Sequence, residues 1–361
     1  MIIIDQLIDH NAVRVMQLPT NHRFIQAAFG QKADRVPVWL MRQAGRYMKE
    51  YQLLRSKYSF LDLCKTPDQA AKVTLLPIDL LDVDAAILFS DILIPVEAMG
   101  MSLQFTEKGP QLMNPVRQQR DVASLSIPEP EEKVPFVMET IRLVKKELGG
   151  KVPLIGFAGA PFTLMSYMVE GKGSPDLKTT KQFIHQEMDL AHELLDKVAE
   201  TTIKYLNAQI SAGAEAIQIF DTWAGLLSYD DFKQFSLRYL QKVVSGLNRE
   251  NIPIIVFAKG SGIFYQDLLE TKADVISIDW NANLPVIKRE IGSQAAVQGN
   301  LDPYILYSNR DSIRNCVKKL LDSMKPYDGY IFNLGHGILP DIPFDNIRFL
   351  VDSVKELGVY D

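Results

Sequence analysis

Arg42 and Arg46 flank Gln43, Ala44 and Gly45 directly after a short apolar run at residues 37–41. Both guanidiniums stay charged at any biological pH, and each is a fork that grips a carboxylate or phosphate at two points. The pair therefore points to a polyanionic small-molecule ligand. Gly45 lets the backbone bend sharply or come close to that ligand. The same arginines also fit ordinary ion pairs on a rim. Polar residues follow other apolar runs in the same manner: Ser90 and Asp91 after 85–89, Asp221 and Thr222 after 216–220, Lys259 and Gly260 after 253–257. Asp279 and Trp280 follow 274–278, Gly299 and Asn300 follow 295–298, and Gly335 and His336 follow 330–334. Tyr167 comes shortly after a further run, 153–159.

Composition limits what these residues serve. A hydrophobic content of 47% with 23% charged residues supports a sizeable core in a soluble globular protein. A net charge of −5 and a pI near 5.7 argue against nucleic acid or an anionic membrane as partner, since both demand a broad basic surface. An anionic ligand must then meet a local basic pocket. The two cysteines, Cys64 and Cys316, are too far apart in sequence for a redox or metal motif. No serine sits in a nucleophile elbow. His185 and His192, seven apart, lack the spacing of a zinc helix and read as structural. Nor does His336 have the neighbours of a metal site, beyond Asp341 and Asp345. No apolar run reaches the roughly 20 residues that span a bilayer, and the start of the chain lacks a signal-peptide pattern, so a cytoplasmic setting is expected.

The elements that must position these groups alternate. Residues 1–20 lack periodicity and read as an extension, either disordered or packed on a neighbour; the globular part, 21–361, is expected to be one domain. A helix is expected over 66–81, with Thr66 capping, Pro67 in the first position and Gln69 reaching back. Others are expected over 130–148, 180–211 and 229–248. Residues 94–128 are turn-rich and read as a hairpin or long loop inserted after the second strand, over one face. Eight strand candidates, most separated by a helix, imply a parallel sheet closed into an α/β barrel of the (β/α)8 kind. An open doubly wound sheet usually carries a Gly-rich phosphate turn after its first strand, and none is present. Gly260 and Gly262 form a bare GxG without the third glycine, too little for a dinucleotide site. In such a barrel the site lies where the strand carboxyl ends meet, which gathers Arg42, Arg46, Asp91, Tyr167, Thr222 and His336.

Six ordered motifs then carry a specific resemblance. Residues 37–47 (PVWLMRQAGRY), 87–93 (ILFSDIL), 167–171 (YMVEG), 220–225 (FDTWAG), 299–303 (GNLDP) and 333–337 (NLGHG) resemble the uroporphyrinogen decarboxylase family from about Asn21 to the end. The resemblance implies a single distorted (β/α)8 TIM barrel, a homodimer, and no metal or organic cofactor. It implies uroporphyrinogen III as substrate, a reduced tetrapyrrole with four acetates and four propionates. The acetates lose carbon dioxide to give coproporphyrinogen III. Carried over by motif, the substrate segment falls on Arg42, Gln43, Ala44, Gly45 and Arg46, the pyrrole-binding aspartate on Asp91, and further contacts on Tyr167, Thr222, His336 and Arg55. Asp91 and Arg42 are the expected catalytic groups, Asp91 as an electrostatic stabiliser. Lys49 stands where the family usually has proline, and the extension is longer than bacterial members commonly carry; neither touches a proposed ligand group. Two alternatives remain: a corrinoid-linked methyltransferase, which wants a zinc-bound thiolate activator, and a tetrapyrrole carrier without turnover.

Overall fold

A computed structural model of the chain describes residues 22–107 and 109–360; the expected extension at 1–20 lies outside them. Seven strands form one parallel sheet: β1 (Ala86–Ile87), β4 (Leu154–Gly159), β5 (Ala216–Asp221), β6 (Ile254–Ala258), β7 (Val275–Ser277), β8 (Ala296–Leu301) and β9 (Tyr330–Leu334). They pair in that order, from Ala86 opposite Leu154 through Val256 opposite Ile276 to Gly299 opposite Phe332. From β4 onward nearly every strand residue is buried, as expected of parallel strands covered on both faces and of near-continuous apolar runs. The curled sheet is that of a TIM-like barrel.

The run at 37–41 is not a regular strand, yet it is bonded on both sides. Phe332 donates its N–H to the Pro37 carbonyl at 2.9 Å, and Asp84 donates to the Val38 carbonyl at 2.7 Å. Its ladder stays short because Pro37 has no N–H and because Arg42 turns the chain at a φ of 63°. Trp39 is fully buried, with its indole N–H on Gln298 Oε1 at 2.8 Å; Gln298 in turn reaches Ser277 and Gln218. At the opposite end from the strand carboxyl termini, buried Asp84 accepts from Arg23 and from both terminal nitrogens of Arg35.

Several expected boundaries are corrected. β1 keeps only two residues of the run 85–89. The helix expected over 130–148 is two, Pro130–Lys133 and Pro135–Leu148, because Pro135 forces Val134 out of the helical region. The periodic stretch 180–211 divides into Lys178–Gln186 and Met188–Ala212 at the non-helical Glu187, which separates His185 from His192. The stretch 229–248 starts after Ser228, which caps Asp231, and runs through a π segment, Phe232–Leu237, before Arg238–Ser245. The helix Pro67–Leu81 has proline at its start as expected, but Thr66 caps through its carbonyl alone.

Between β1 and β4, β2 (Leu103–Thr106) and β3 (Gly109–Leu112) form an antiparallel hairpin. Leu112 donates to the Gly171 carbonyl at 2.8 Å and Val116 to the Met168 carbonyl at 2.9 Å, tying the hairpin to the helix Pro161–Glu170. His192 fits the structural reading: its ring stacks on Phe235 and bonds the Tyr239 hydroxyl.

Candidate active site

The segment after residue 40 is held from within. Buried Gln43 accepts the Leu40 N–H through its side-chain oxygen and donates to the Ala85 carbonyl at 3.0 Å; its carbonyl accepts the Tyr47 hydroxyl. That side chain is spent on holding the loop. Ala44 and Gly45 are half-buried beside it. Both arginines are exposed, and neither guanidinium makes a hydrogen bond or ion pair among the described residues, although the Arg46 carbonyl accepts from Gln52 Nε2 at 2.6 Å.

Arg42 takes the left-handed conformation, a strained choice for a residue with a Cβ. Two bonds hold that turn: Met41 donates to Asn333 Oδ1 at 3.0 Å and Ile338 donates to the Met41 carbonyl at 2.9 Å. The Arg42 side chain then runs over Gly337, where an added Cβ would stand 2.4 Å from Arg42 Cδ. A side chain at 337 would thus displace the Arg42 side chain from this path, although 337 belongs to the last loop.

Asp91 follows β1. Its Oδ1 accepts the Leu93 N–H at 2.8 Å, the one hydrogen bond its side chain makes among the described residues. Burial pushes its carboxyl up to about 6, against the opposing pull of the Leu93 N–H and of the Arg42 charge. Burial first and then the Asp91 charge raise Tyr167, whose ring meets Trp223 edge-on at 5.5 Å. The Cys64 thiol, also in the field of Asp91, is pushed far up by burial, so it is no thiolate nucleophile.

His336 follows β9, edge-on to Phe257 and Trp280. Burial, Arg42 and Lys259 together lower it to about 4, which leaves a neutral imidazole at pH 7. Thr222 stands half-buried at the end of β5, beside Trp223. Rings from three strands, Phe157, Phe220 and Phe257, pack against one another at 5.9 and 6.3 Å.

Asp91, Tyr167 and His336 thus each feel the Arg42 charge, Tyr167 also feels Asp91, and Thr222 adjoins Tyr167 through Trp223, all following strand ends of the sheet. Arg55 lies at the fringe: it donates to the Tyr58 carbonyl at 2.6 Å, closing the helix Lys49–Arg55, and faces Tyr51 and Cys64. The expected set leaves out Lys259. Its exposed ammonium makes no ion pair among the described residues and acts on His336, and the same strand-end rule that marked Asp91 marks it too. The arrangement is a desolvated carboxylate with one hydrogen bond, surrounded by unpaired cations and neutral hydrogen-bonding groups. It suits a large anionic ligand with a cation or N–H donors at its centre.

The Uroporphyrinogen decarboxylase (URO-D) family model matches residues 19–357. A uroporphyrinogen decarboxylase of Geobacter metallireducens is 53% identical over 338 residues, covering 94% of this chain and 99% of that protein. One from Geobacter sulfurreducens is 52% identical over the same shares. Among solved structures, a methyltransferase from Methanosarcina mazei is similar at 25% identity and a TM-score of 0.78, over 94% of this chain and 99% of its own. A B12-independent methionine synthase from Shewanella shares the fold at 13% identity and a TM-score of 0.54, over 83% of this chain and 89% of its own.

Proposed function

Since the chain belongs to the uroporphyrinogen decarboxylase family and its substrate is uroporphyrinogen III, we propose that the mouth around Asp91 removes the four acetate carboxyls. The chain works in haem biosynthesis, and in this reading the products are coproporphyrinogen III and carbon dioxide.

Loss of carbon dioxide from an acetate on a pyrrole leaves an electron pair that the ring must accept. Protonation of the ring carbon first makes a cationic electron sink, so no cofactor is required by the chemistry. Asp91 accepts hydrogen bonds from the pyrrole N–H groups and offsets that positive charge. At an effective dielectric of about 20 and about 4 Å, one such charge pair is worth on the order of 4 kcal/mol. Confined to the transition state, that is roughly a thousandfold in rate. The observation that supports this role is the underpaired state of Asp91. A half-buried, partly desolvated carboxylate with a single N–H partner is poised to gain when N–H donors and a cation arrive.

Arg42, Arg46 and Lys259 hold peripheral carboxylates, with Arg42 positioning the reacting acetate. Tyr167, Thr222 and neutral His336 hydrogen-bond carboxylates or orient the ring; the backbone of Ala44 and Gly45 and the more distant Arg55 complete the rim. Residues 21–361 form one catalytic domain. In it the segment at 37–41 is the eighth stave of a (β/α)8 barrel, and the β2–β3 hairpin is an insertion beside the site. The working form is a cytoplasmic homodimer, for which light scattering on the purified chain is the test.

The methyltransferase alternative lacks its chemistry here: among the described residues no three His, Cys, Asp or Glu side chains are grouped to hold a metal ion. The deciding experiment is an anaerobic, dark incubation of metal-free protein with uroporphyrinogen III. Products with seven, six, five and four carboxyls should appear stepwise, and Asp91→Ala should abolish them. Tight binding without mass loss would leave a carrier instead.

A further inference from the structure

Asp221, the last residue of β5, is as deeply buried as any in the molecule and has no place in the chemistry above. Strand alternation explains where it points. Gln218 bonds Gln298 across the interior, and Phe220 packs on Phe157 and Phe257. Ile219 and Asp221 therefore face the opposite way, toward the helices. There Asp221 Oδ1 accepts the Thr163 hydroxyl at 2.6 Å, and Oδ2 accepts the Ser236 hydroxyl at 2.5 Å. Thr163 belongs to the helix Pro161–Glu170, which also carries Tyr167; Ser236 belongs to the π segment. Thr163 Oγ1 also accepts the Trp223 N–H at 3.2 Å, and Trp223 packs on Tyr167. One carboxylate thus joins the strand end, the Tyr167 helix and the turn that bears Thr222 and Trp223.

We infer that Asp221 is a positioning residue for decarboxylation, whose bonds to Thr163 and Ser236 fix the Thr222–Trp223 turn against Tyr167 before substrate binds. The geometry is costly for a purely structural role. Two hydroxyl donors satisfy a fully desolvated anion only partly, and an apolar pair of similar volume would pack as well. What an apolar pair could not do is hand a hydrogen-bond acceptor to the Trp223 backbone. The π segment fits the same purpose, because its wider turn is a common way of aiming one side chain at a functional site.

This inference rests on the decarboxylase reading for its kinetic arm alone. Thr163→Val keeps shape and deletes the link between Asp221 and the Trp223 N–H. It should lower kcat/KM for uroporphyrinogen III by about tenfold or more, because small misplacements of positioning groups cost that much. Thr163→Ser should restore activity. Asp221→Asn should lie near Thr163→Val, and Ser236→Ala, which leaves the Trp223 link intact, should lose less. In near-UV circular dichroism, Thr163→Val should lose the contribution that Trp223→Phe also removes. Wild-type kinetics and a wild-type spectrum in folded Thr163→Val would overturn the inference, even with a lower Tm. Should the wild-type chain leave uroporphyrinogen III untouched, the functional reading fails and the spectral comparison still decides the clamp.

Discussion

Asp91 and Asp221 are two aspartates at strand ends of one sheet, and burial drives both carboxyls to about 6. Their surroundings differ in the number of donors. Asp221 has a hydroxyl donor on each of its two oxygens, whereas Asp91 has one backbone N–H on Oδ1 and the field of the Arg42 guanidinium. Equal shifts thus conceal opposite roles. A carboxylate engaged at both oxygens by the protein's own donors holds those partners in place, while one with an unengaged oxygen keeps it for a ligand. A perturbed carboxyl marks a functional region, and its donor count tells which function it serves.

The largest effect that would separate the two is on kcat. Asp91→Asn keeps size and the Leu93 bond but removes the charge, and should lower kcat by roughly a thousandfold with little change in substrate binding. Asp221→Asn should lose about tenfold in kcat/KM. Single-turnover rates with tight-binding controls measure this, and near-equal kcat losses in the two variants would erase the distinction.

Acid sharpens it next. Asp91 must be ionised in the free enzyme to offset the ring cation that protonation creates, so kcat/KM should fall below about pH 6, approaching tenfold per unit. His336, already neutral to about pH 4, should not contribute a limb in that range. The substrate carboxylates titrate nearby, and Asp91→Asn supplies the control: its residual activity should lack the limb near pH 6. Smaller again is the effect of Gly337→Ala. A Cβ 2.4 Å from Arg42 Cδ must push that side chain off its path, which should raise KM several-fold at nearly constant kcat.

Much of this was legible in the sequence, for reasons that also mark where legibility ends. Parallel strands buried on both faces are continuous apolar runs, so β4 to β9 announce themselves. The run at 37–41 looks identical but meets Pro37 and left-handed Arg42, and only tertiary bonds to Phe332 and Asp84 reveal its place. Pro135 could have marked the break at Val134, which the reading of one helix over 130–148 passes over, whereas a π segment leaves no periodicity of its own at Phe232–Leu237. The strand-end rule picked out Asp91, Thr222 and His336, each of which follows a strand of the sheet. It gave no means of telling that Gln43 turns inward, since an amide beside two arginines reads equally as ligand contact and as loop staple. Nothing in the sequence pairs Asp221 with its partners: Thr163 lies 58 residues back on the helix Pro161–Glu170, and Ser236, 15 residues on, sits in the π segment that leaves no periodicity.

The smallest prediction is the most direct comparison of the two aspartates, because it reads stability without substrate. Each carboxyl is raised from 3.8 to about 6 on folding, so the native state binds the proton more readily than the unfolded chain. Stability therefore falls as pH rises through that window, and the penalty is complete above it. At pH 7.5 Asp91→Asn removes the penalty, keeps an oxygen for the Leu93 N–H and leaves no partner unpaired. Its Tm should rise by about 2 °C over the wild type, a gain that shrinks toward pH 4. Asp221→Asn sheds the same penalty but sets an amide N–H₂ against a hydroxyl that needs an acceptor, so its Tm should fall. Opposite signs at pH 7.5 would mean that one site gives up stability for chemistry and the other does not. A lower Tm for Asp91→Asn would instead make its carboxylate part of the scaffold.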